Sequence, residues 1–289
     1  MGLRVLMALL IVGLALTAGP AARVAAAAEK PKKGSKTASL PPEEVYRMAL
    51  EKMAKKRYLA ARTLLQETMP RIPPEDRDLL PKVQLAIADA FYKDGGIVNY
   101  GEALNSYRNF LTYFPQHEMA VYAQYMIGMS MYEQVLAPDR DQTMTLKAID
   151  ELRKVETLHP DSPYVKEAAT VIDRCHDRLA EKERLVGRFY QRRHSWPAAV
   201  DRYRFVADHY PRYNNMNRLL LDLGTCLLAL NRRDEAQQVI DRLAREDSTG
   251  KLSRQAQSRL SEYERRREKE GEKLYGDLSE KERKKAPGS

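Results

Sequence analysis

Cysteine occurs twice in 289 residues, tryptophan once and histidine five times, and each scarcity excludes a class of protein. Two cysteines cannot build the multi-bridge framework that holds small exported domains together. Cys175 stands directly beside His176, which is not the ligand spacing of a zinc site. Both Cys175 and Cys226 fall in stretches that read as helical, at positions suited to small buried residues. Two buried free thiols are the expectation, with an oxidised pair as the alternative. Of the histidines, His117, His159 and His209 lie beside prolines that end helices, as loop residues do, while His176 and His194 lie elsewhere. His-Glu-x-x-His, a glycine-rich phosphate loop and a serine elbow are all missing. Asp139-x-Asp141 has the beginning of a calcium loop without its remaining ligands or glycine. Enzymatic activity, a cofactor and a metal site are therefore not expected.

Long hydrophobic runs are also missing. The longest, Val5 to Ala18, covers 14 residues, short of the roughly 20 that a spanning helix needs. It follows the basic start Met1 to Arg4 and precedes the small residues Ala25 to Ala28, which is the order of a secretory signal peptide. Residues 1–28 are read as that signal, with an uncleaved N-terminal anchor as the alternative. The formal net charge is +9, and removing Arg4 and Arg23 leaves +7 (9 − 2). Nucleic acid is the usual partner of a chain with pI near 9.4, but an exported protein does not meet it, so no nucleic-acid partner is expected. Much of the charge sits in the flanks, at Lys30, Lys32, Lys33 and Lys36, and at Arg265 to Arg267 with Lys281, Lys284 and Lys285. Such ends are read as solubilising tails, or as contacts to anionic lipid or an acidic partner.

What the chain does have is a repeat. Ala61/Pro73, Ala103/Pro115, Ala148/Pro160 and Ala199/Pro211 are each separated by twelve residues, with Leu65, Tyr107, Leu152 and Tyr203 four positions after the alanines. A small residue where helices touch, a bulky one a turn later and a proline that stops the helix describe the second helix of a helix-turn-helix repeat. Ala49 precedes Ala61, and Gly224 precedes Ala236, by the same twelve. The expected fold is an all-α tetratricopeptide-repeat solenoid of about five helix-turn-helix repeats over residues 43–250. A basic linker at 29–42 precedes it. A charged tail at 251–289 follows, helical at first and disordered beyond Gly276. Three insertions lengthen the repeats: the Gly95-Gly96 turn, the Ala137 to Thr145 loop, and a long helix from Pro163 to about Arg192.

In such a stack the first helix of each pair lines a hollow flank. With Ala49, Ala88 and Gly128 as the close-contact positions, the inward residues are Tyr46, Leu50 and Met53, then Leu85, Asp89, Tyr92 and Lys93, then Tyr125, Met129 and Tyr132, with Tyr122 a turn earlier. Tyrosine gives contact area at low entropic cost and methionine adapts to shape. The expected groove set is Tyr46, Tyr92, Lys93, Tyr122, Tyr125, Met129 and Tyr132, suited to an extended peptide. Packing of these tyrosines between repeats is the alternative.

The insertions carry a resemblance. Asp139-Arg140-Asp141-Gln142-Thr143 with Lys147-Ala148, His159-Pro160-Asp161-Ser162-Pro163-Tyr164, and Leu179-Ala180-Glu181-Lys182-Glu183 leading through Phe189-Tyr190 to Ala198-Ala199-Val200-Asp201-Arg202 and His209-Tyr210-Pro211 stand in the order of the BamD family. Phe110-Leu111 with Phe114-Pro115-Gln116-His117 adds the end of its second repeat. The likeness covers roughly residues 43–246. It implies a scaffold of outer-membrane β-barrel assembly in the periplasm, at the inner face of the outer membrane. The implied partners are the central, BamA-like assembly subunit and the C-terminal peptides of unfolded outer-membrane proteins. It also implies that Arg202 docks the assembly subunit, an ion pair with Asp201 or a neighbouring repeat being the alternative. The family's cysteine at the signal cleavage site has no counterpart here, so membrane association is expected through partners, or the chain is a soluble relative. A soluble periplasmic adaptor of cell-envelope or division proteins is the second functional reading.

Overall fold

A computed structural model describes residues 37–285. The signal read at 1–28 and most of the 29–42 linker lie outside the described residues. The chain divides into two units, Met1–Leu40 and Pro41–Ser289. The described part of the first is a short turn in which the Leu40 N–H donates to the Thr37 carbonyl at 3.1 Å.

Among the described residues the second unit is entirely helical: α1 (Pro42–Ala54), α2 (Tyr58–Thr68), α3 (Leu79–Asp94), α4 (Ile97–Tyr113), α5 (Ala120–Tyr132), α6 (Thr143–Leu158), α7 (Tyr164–Arg192), α8 (Trp196–His209), α9 (Met216–Ala229), α10 (Arg233–Glu246) and α11 (Lys251–Lys285). A 3-10 turn at Met69–Arg71 follows α2. Each helix packs on the next, and short connections make neighbours antiparallel. The result is an all-α tetratricopeptide-repeat solenoid of five helix pairs closed by α11.

The small residues are where the pairs meet. Ala49, Ala61, Ala88, Ala103, Ala148, Ala199 and Ala236 are wholly buried. At Gly128 an added Cβ would lie 2.5 Å from Leu152 Cγ, and at Gly187 it would lie 2.5 Å from the Tyr203 ring. The prolines act as terminators: α4, α6 and α8 each stop two residues before Pro115, Pro160 and Pro211, because the residue preceding a proline is pushed out of the helical region.

The insertions occupy the places their sequences suggest. Gly95 and Gly96 have φ of 74° and 85°, a region that side chains with a Cβ avoid, and they turn α3 into α4. The loop before α6 is tied by the buried Gln142, whose amide donates to the carbonyls of Ala137 and Arg140 at 2.8 and 3.1 Å and whose oxygen accepts the Thr145 hydroxyl at 2.7 Å.

The 29-residue α7 belongs to two cores. Ala168, Val171 and Cys175 join a cluster built from α3 to α6, while Ala180 joins the one built from α8 to α11. A third cluster, around Ala49, Leu65 and Val83, packs α1 to α3. Just beyond Ala180, α7 carries Glu181, held by Arg184 at 2.9 and 2.6 Å and by the Tyr213 hydroxyl, which fastens the α8–α9 connection to the helix. Burial, then the Glu181 carboxylate, push the Tyr213 phenol up to about 12. Cys175 and Cys226 are both buried and free.

In the tail, α11 is drawn out to Lys285, and its first turns are part of the core. Leu252, Ala256, Leu260 and Tyr263 form one face at helical spacing, with Ala256 and Leu260 buried against α9 and α10. This stripe covers the last pair, which has no further repeat to cover it. Asp247 secures the entry: its carboxylate accepts the N–H groups of Thr249, Leu252 and Ser253, and these bonds hold its pKa down to about 2.

Candidate functional site

A groove of about 550 Å³ opens between α1, α3 and the start of α5. Tyr46, Leu50, Met53 and Ala54 form one wall, Lys82, Leu85, Ala86, Asp89 and Lys93 the floor, and His117, Glu118, Met119 and Tyr122 the other wall. The floor residues recur at intervals of three and four along α3, which keeps them on one face.

Asp89 organises the centre. Its Oδ1 accepts the hydroxyls of Tyr107 at 2.6 Å and Tyr122 at 2.8 Å. Tyr107 is wholly buried and meets Tyr122 edge to face at 6.2 Å. Burial, and next the Asp89 carboxylate, raise the pKa of both phenols. Burial likewise raises Tyr46, against an opposing influence from Lys82. All three therefore remain neutral hydroxyls at physiological pH. Lys82 is paired with Asp78 at 2.6 Å, so it offers less free charge than Lys93 at the other end.

Of the residues expected to line a groove, Tyr46, Lys93 and Tyr122 come together here with Leu50, Met53, Leu85 and Asp89. Tyr92, Tyr125, Met129 and Tyr132 do not. Tyr125 stacks on Tyr164 at 5.2 Å. Tyr92 packs near Tyr100 at 5.6 Å, and its hydroxyl donates to Glu133 at 3.3 Å. Met129 and Tyr132 are half-buried against the α3–α7 cluster. With Tyr122 and Tyr125 they occupy one face of α5, a half-buried aromatic strip beside the groove.

His117, Glu118 and Met119 were not foreseen as lining. The connection ending α4 folds inward because the His117 ring packs edge-on to Phe110 at 5.5 Å and its Nδ1 accepts the Met119 N–H at 3.1 Å. Phe110 and Phe114, four residues apart and both buried, were the available sign that this turn is packed.

Arg202 lies on α8, its side chain 48% exposed, with Nη1 donating to Glu183 Oε2 of α7 at 3.0 Å. Among the described residues no group of three or more His, Cys, Asp or Glu is arranged to hold a metal ion, and no helix is long and apolar enough to cross a membrane.

The geometry offers an open trough with apolar walls, neutral phenols, one central carboxylate and a lysine end.

Residues 38–241 match the YfiO family, described as an outer membrane lipoprotein. An outer membrane protein assembly factor BamD of Caulobacter vibrioides is 30% identical over 139 residues, covering 48% of this chain and 46% of that protein. The BamD of Rickettsia prowazekii is 26% identical over 235 residues, covering 81% of this chain and 88% of that one. The matched region thus spans about half of the first relative and most of the second. Among solved structures, the TPR2AB domain of yeast Sti1 in its pHSP90 complex aligns over 77% of this chain and 98% of that one, with 13% identity and a TM-score of 0.38, too loose an overlay to carry an argument.

Proposed function

Because the chain belongs to the YfiO family of outer membrane lipoproteins, we propose that it is a non-enzymatic scaffold of outer-membrane β-barrel assembly. In this reading it works at the periplasmic face of the outer membrane. The α1–α3–α5 groove receives the C-terminal segments of unfolded outer-membrane proteins, and the surface around Arg202 receives the central, BamA-like assembly subunit.

The observation that carries the reading is the groove itself. Leu50 is 40% exposed although it is a large aliphatic residue, and it lines the same open trough of about 550 Å³ as Tyr122. An aromatic side chain entering between Tyr46, Met53 and Leu85 would cover apolar surface, while the second oxygen of Asp89 accepts a backbone N–H. Arg202 supports the docking role because a half-exposed guanidinium already held by one carboxylate has donors left for a second.

The native protein is purified from detergent-solubilised envelope and its companions are identified by mass spectrometry. A β-barrel assembly subunit among them is the expected result. Cell-wall or division enzymes, with no assembly subunit, would favour the soluble-adaptor reading and reject this one.

A further inference from the structure

The turns joining the helices of the first two pairs carry exposed groups that the groove does not use. In the α1–α2 turn Lys55, Lys56 and Arg57 are consecutive and exposed. Leu59 follows with 68% of its surface exposed. In the α3–α4 turn Gly95 and Gly96 lead directly into Ile97 and Val98, exposed by 71% and 77%. Two adjacent β-branched aliphatic residues left in water at the tip of a turn are costly unless something covers them.

The two turns are side by side. Arg62, one turn into α2 beyond Leu59, donates to Asp94 Oδ2 at 2.8 Å and to the Ala90 carbonyl at 3.4 Å. Asp94 immediately precedes Gly95, so the ion pair holds the start of α2 against the end of α3. It also neutralises Asp94 at the second turn; Glu51 and Glu102 are exposed one helical turn further in, so the three consecutive cations of the first turn set the sign of the tip itself. The opposite edge, reached by following α2 and α4 to their ends, differs in charge. Its connections carry Glu75, Asp76, Asp78 and Glu118 against Arg71, Arg77 and Lys82, and Tyr113, at the end of α4, is exposed.

We propose that the edge formed by the α1–α2 and α3–α4 turns docks directly on an anionic phospholipid surface, with Ile97, Val98 and Leu59 entering the interface and Lys55, Lys56 and Arg57 facing the headgroups. Apolar tips flanked by basic side chains are the composition that favours the boundary between headgroups and acyl chains. A protein partner would match the same charge, and the experiment separates the two. This placement sets the groove beside the membrane, and it stands independently of what the groove holds.

A water-sensitive nitrobenzoxadiazole label is placed on Val98→Cys, or on Tyr113→Cys at the far end of the same helix, about 22 Å away at 1.5 Å per residue. Both native thiols are buried, so labelling is directed to the new one. With vesicles of phosphatidylethanolamine and phosphatidylglycerol, the label at 98 is expected to brighten and shift to the blue while the label at 113 stays wet. Each basic residue near an anionic surface strengthens association about five-fold. Changing Lys55, Lys56 and Arg57 to glutamine should therefore raise the lipid concentration at half-effect on the order of 100-fold, and phosphatidylcholine vesicles should give little response. Changing Arg265, Arg266 and Arg267 to glutamine should have little effect. A label at 98 that stays wet, whether or not the chain floats with vesicles, would overturn the proposal, the absence of flotation being the result that a protein partner predicts. So would equal insertion at 113, or a loss that follows the tail arginines instead of the turn.

Discussion

Asp89 shows how one residue joins the core to the wall of the groove. Its Oδ1 satisfies a buried phenol from α4 and a groove phenol from α5, so three helices meet at one atom. Replacing it by alanine leaves the Tyr107 hydroxyl buried without its acceptor, which costs about 2 kcal/mol. Urea unfolding of Asp89→Ala should show that loss with an unchanged slope. Tyr122→Phe removes only the more accessible donor and should cost about 1 kcal/mol. A Tyr122 loss as large as that of Asp89→Ala would mean that Tyr122, not Tyr107, is the structural partner. The sequence places Asp89 and Tyr122 on the inward side through the position of Ala88 and Gly128. It does not reveal the shared bond, because Tyr107 reads equally well as an ordinary bulky core residue four positions after Ala103. Tyr92, Tyr125 and Tyr132 show the converse: their helical spacing predicts the right side of the helix, while Tyr164 and Glu133, far away in sequence, decide how deeply two of them pack.

At the scale of the helix, the glycines distinguish close packing from simple tolerance. Gly187→Ala sets a methyl 2.5 Å from the Tyr203 ring, a side chain that is wholly buried and cannot withdraw. The overpacking costs about 1–3 kcal/mol, partly offset by about 1 kcal/mol of helix propensity. Gly224→Ala meets nothing nearer than 3.5 Å, so propensity dominates and the protein should become slightly more stable. Thermal unfolding of the two variants should move in opposite directions. A lower midpoint for Gly224→Ala would show that α9 and α10 touch more tightly than described. The repeating alanine–proline spacing made the second helices and their ends legible. Gly187 was not, because α7 also offers Ala168, Ala169 and Ala180 as small residues, and only the Tyr203 ring selects among positions. The capping role of α11 was hidden for a related reason: Leu252, Ala256, Leu260 and Tyr263 lie among so many charges that the stripe is thin. Asp247 gives this element a pH signature. Its folded pKa is depressed to about 2, below the usual 3.9 or so of an aspartate. Its contribution is therefore complete above that usual value and is lost as pH falls from about 4 to about 2. Protection of the amides at the start of α11, taken relative to their intrinsic exchange rates at each pH, should fall across that window, and in Asp247→Asn that pH-dependent fall should be absent.

Across the whole second unit, α7 is the member that both halves share. The groove lies in α1, α3 and α5, the Arg202 surface on α8, and the helices before and after α7 pack through it. If the halves carry separate tasks, each can be removed alone. Arg202→Glu places two carboxylates together, since Glu183 is 3.0 Å from the arginine. Arg202 is half-exposed although Glu183 is only 20% exposed, so the stability cost should be about 1 kcal/mol, whereas an interface built on that arginine would lose most of its affinity. Co-purification of the assembly subunit with Arg202→Glu should fall at least ten-fold, while binding of a C-terminal outer-membrane peptide, followed by fluorescence anisotropy, should match the wild type. Tyr46→Ala should do the reverse. It removes a wall of the groove on a helix distant in sequence from α8, so peptide binding should drop about ten-fold while co-purification persists. Circular dichroism separates these outcomes from unfolding. If either variant lost both activities with its helices intact, α7 would be transmitting the change, and the two surfaces would have to be regarded as one coupled site.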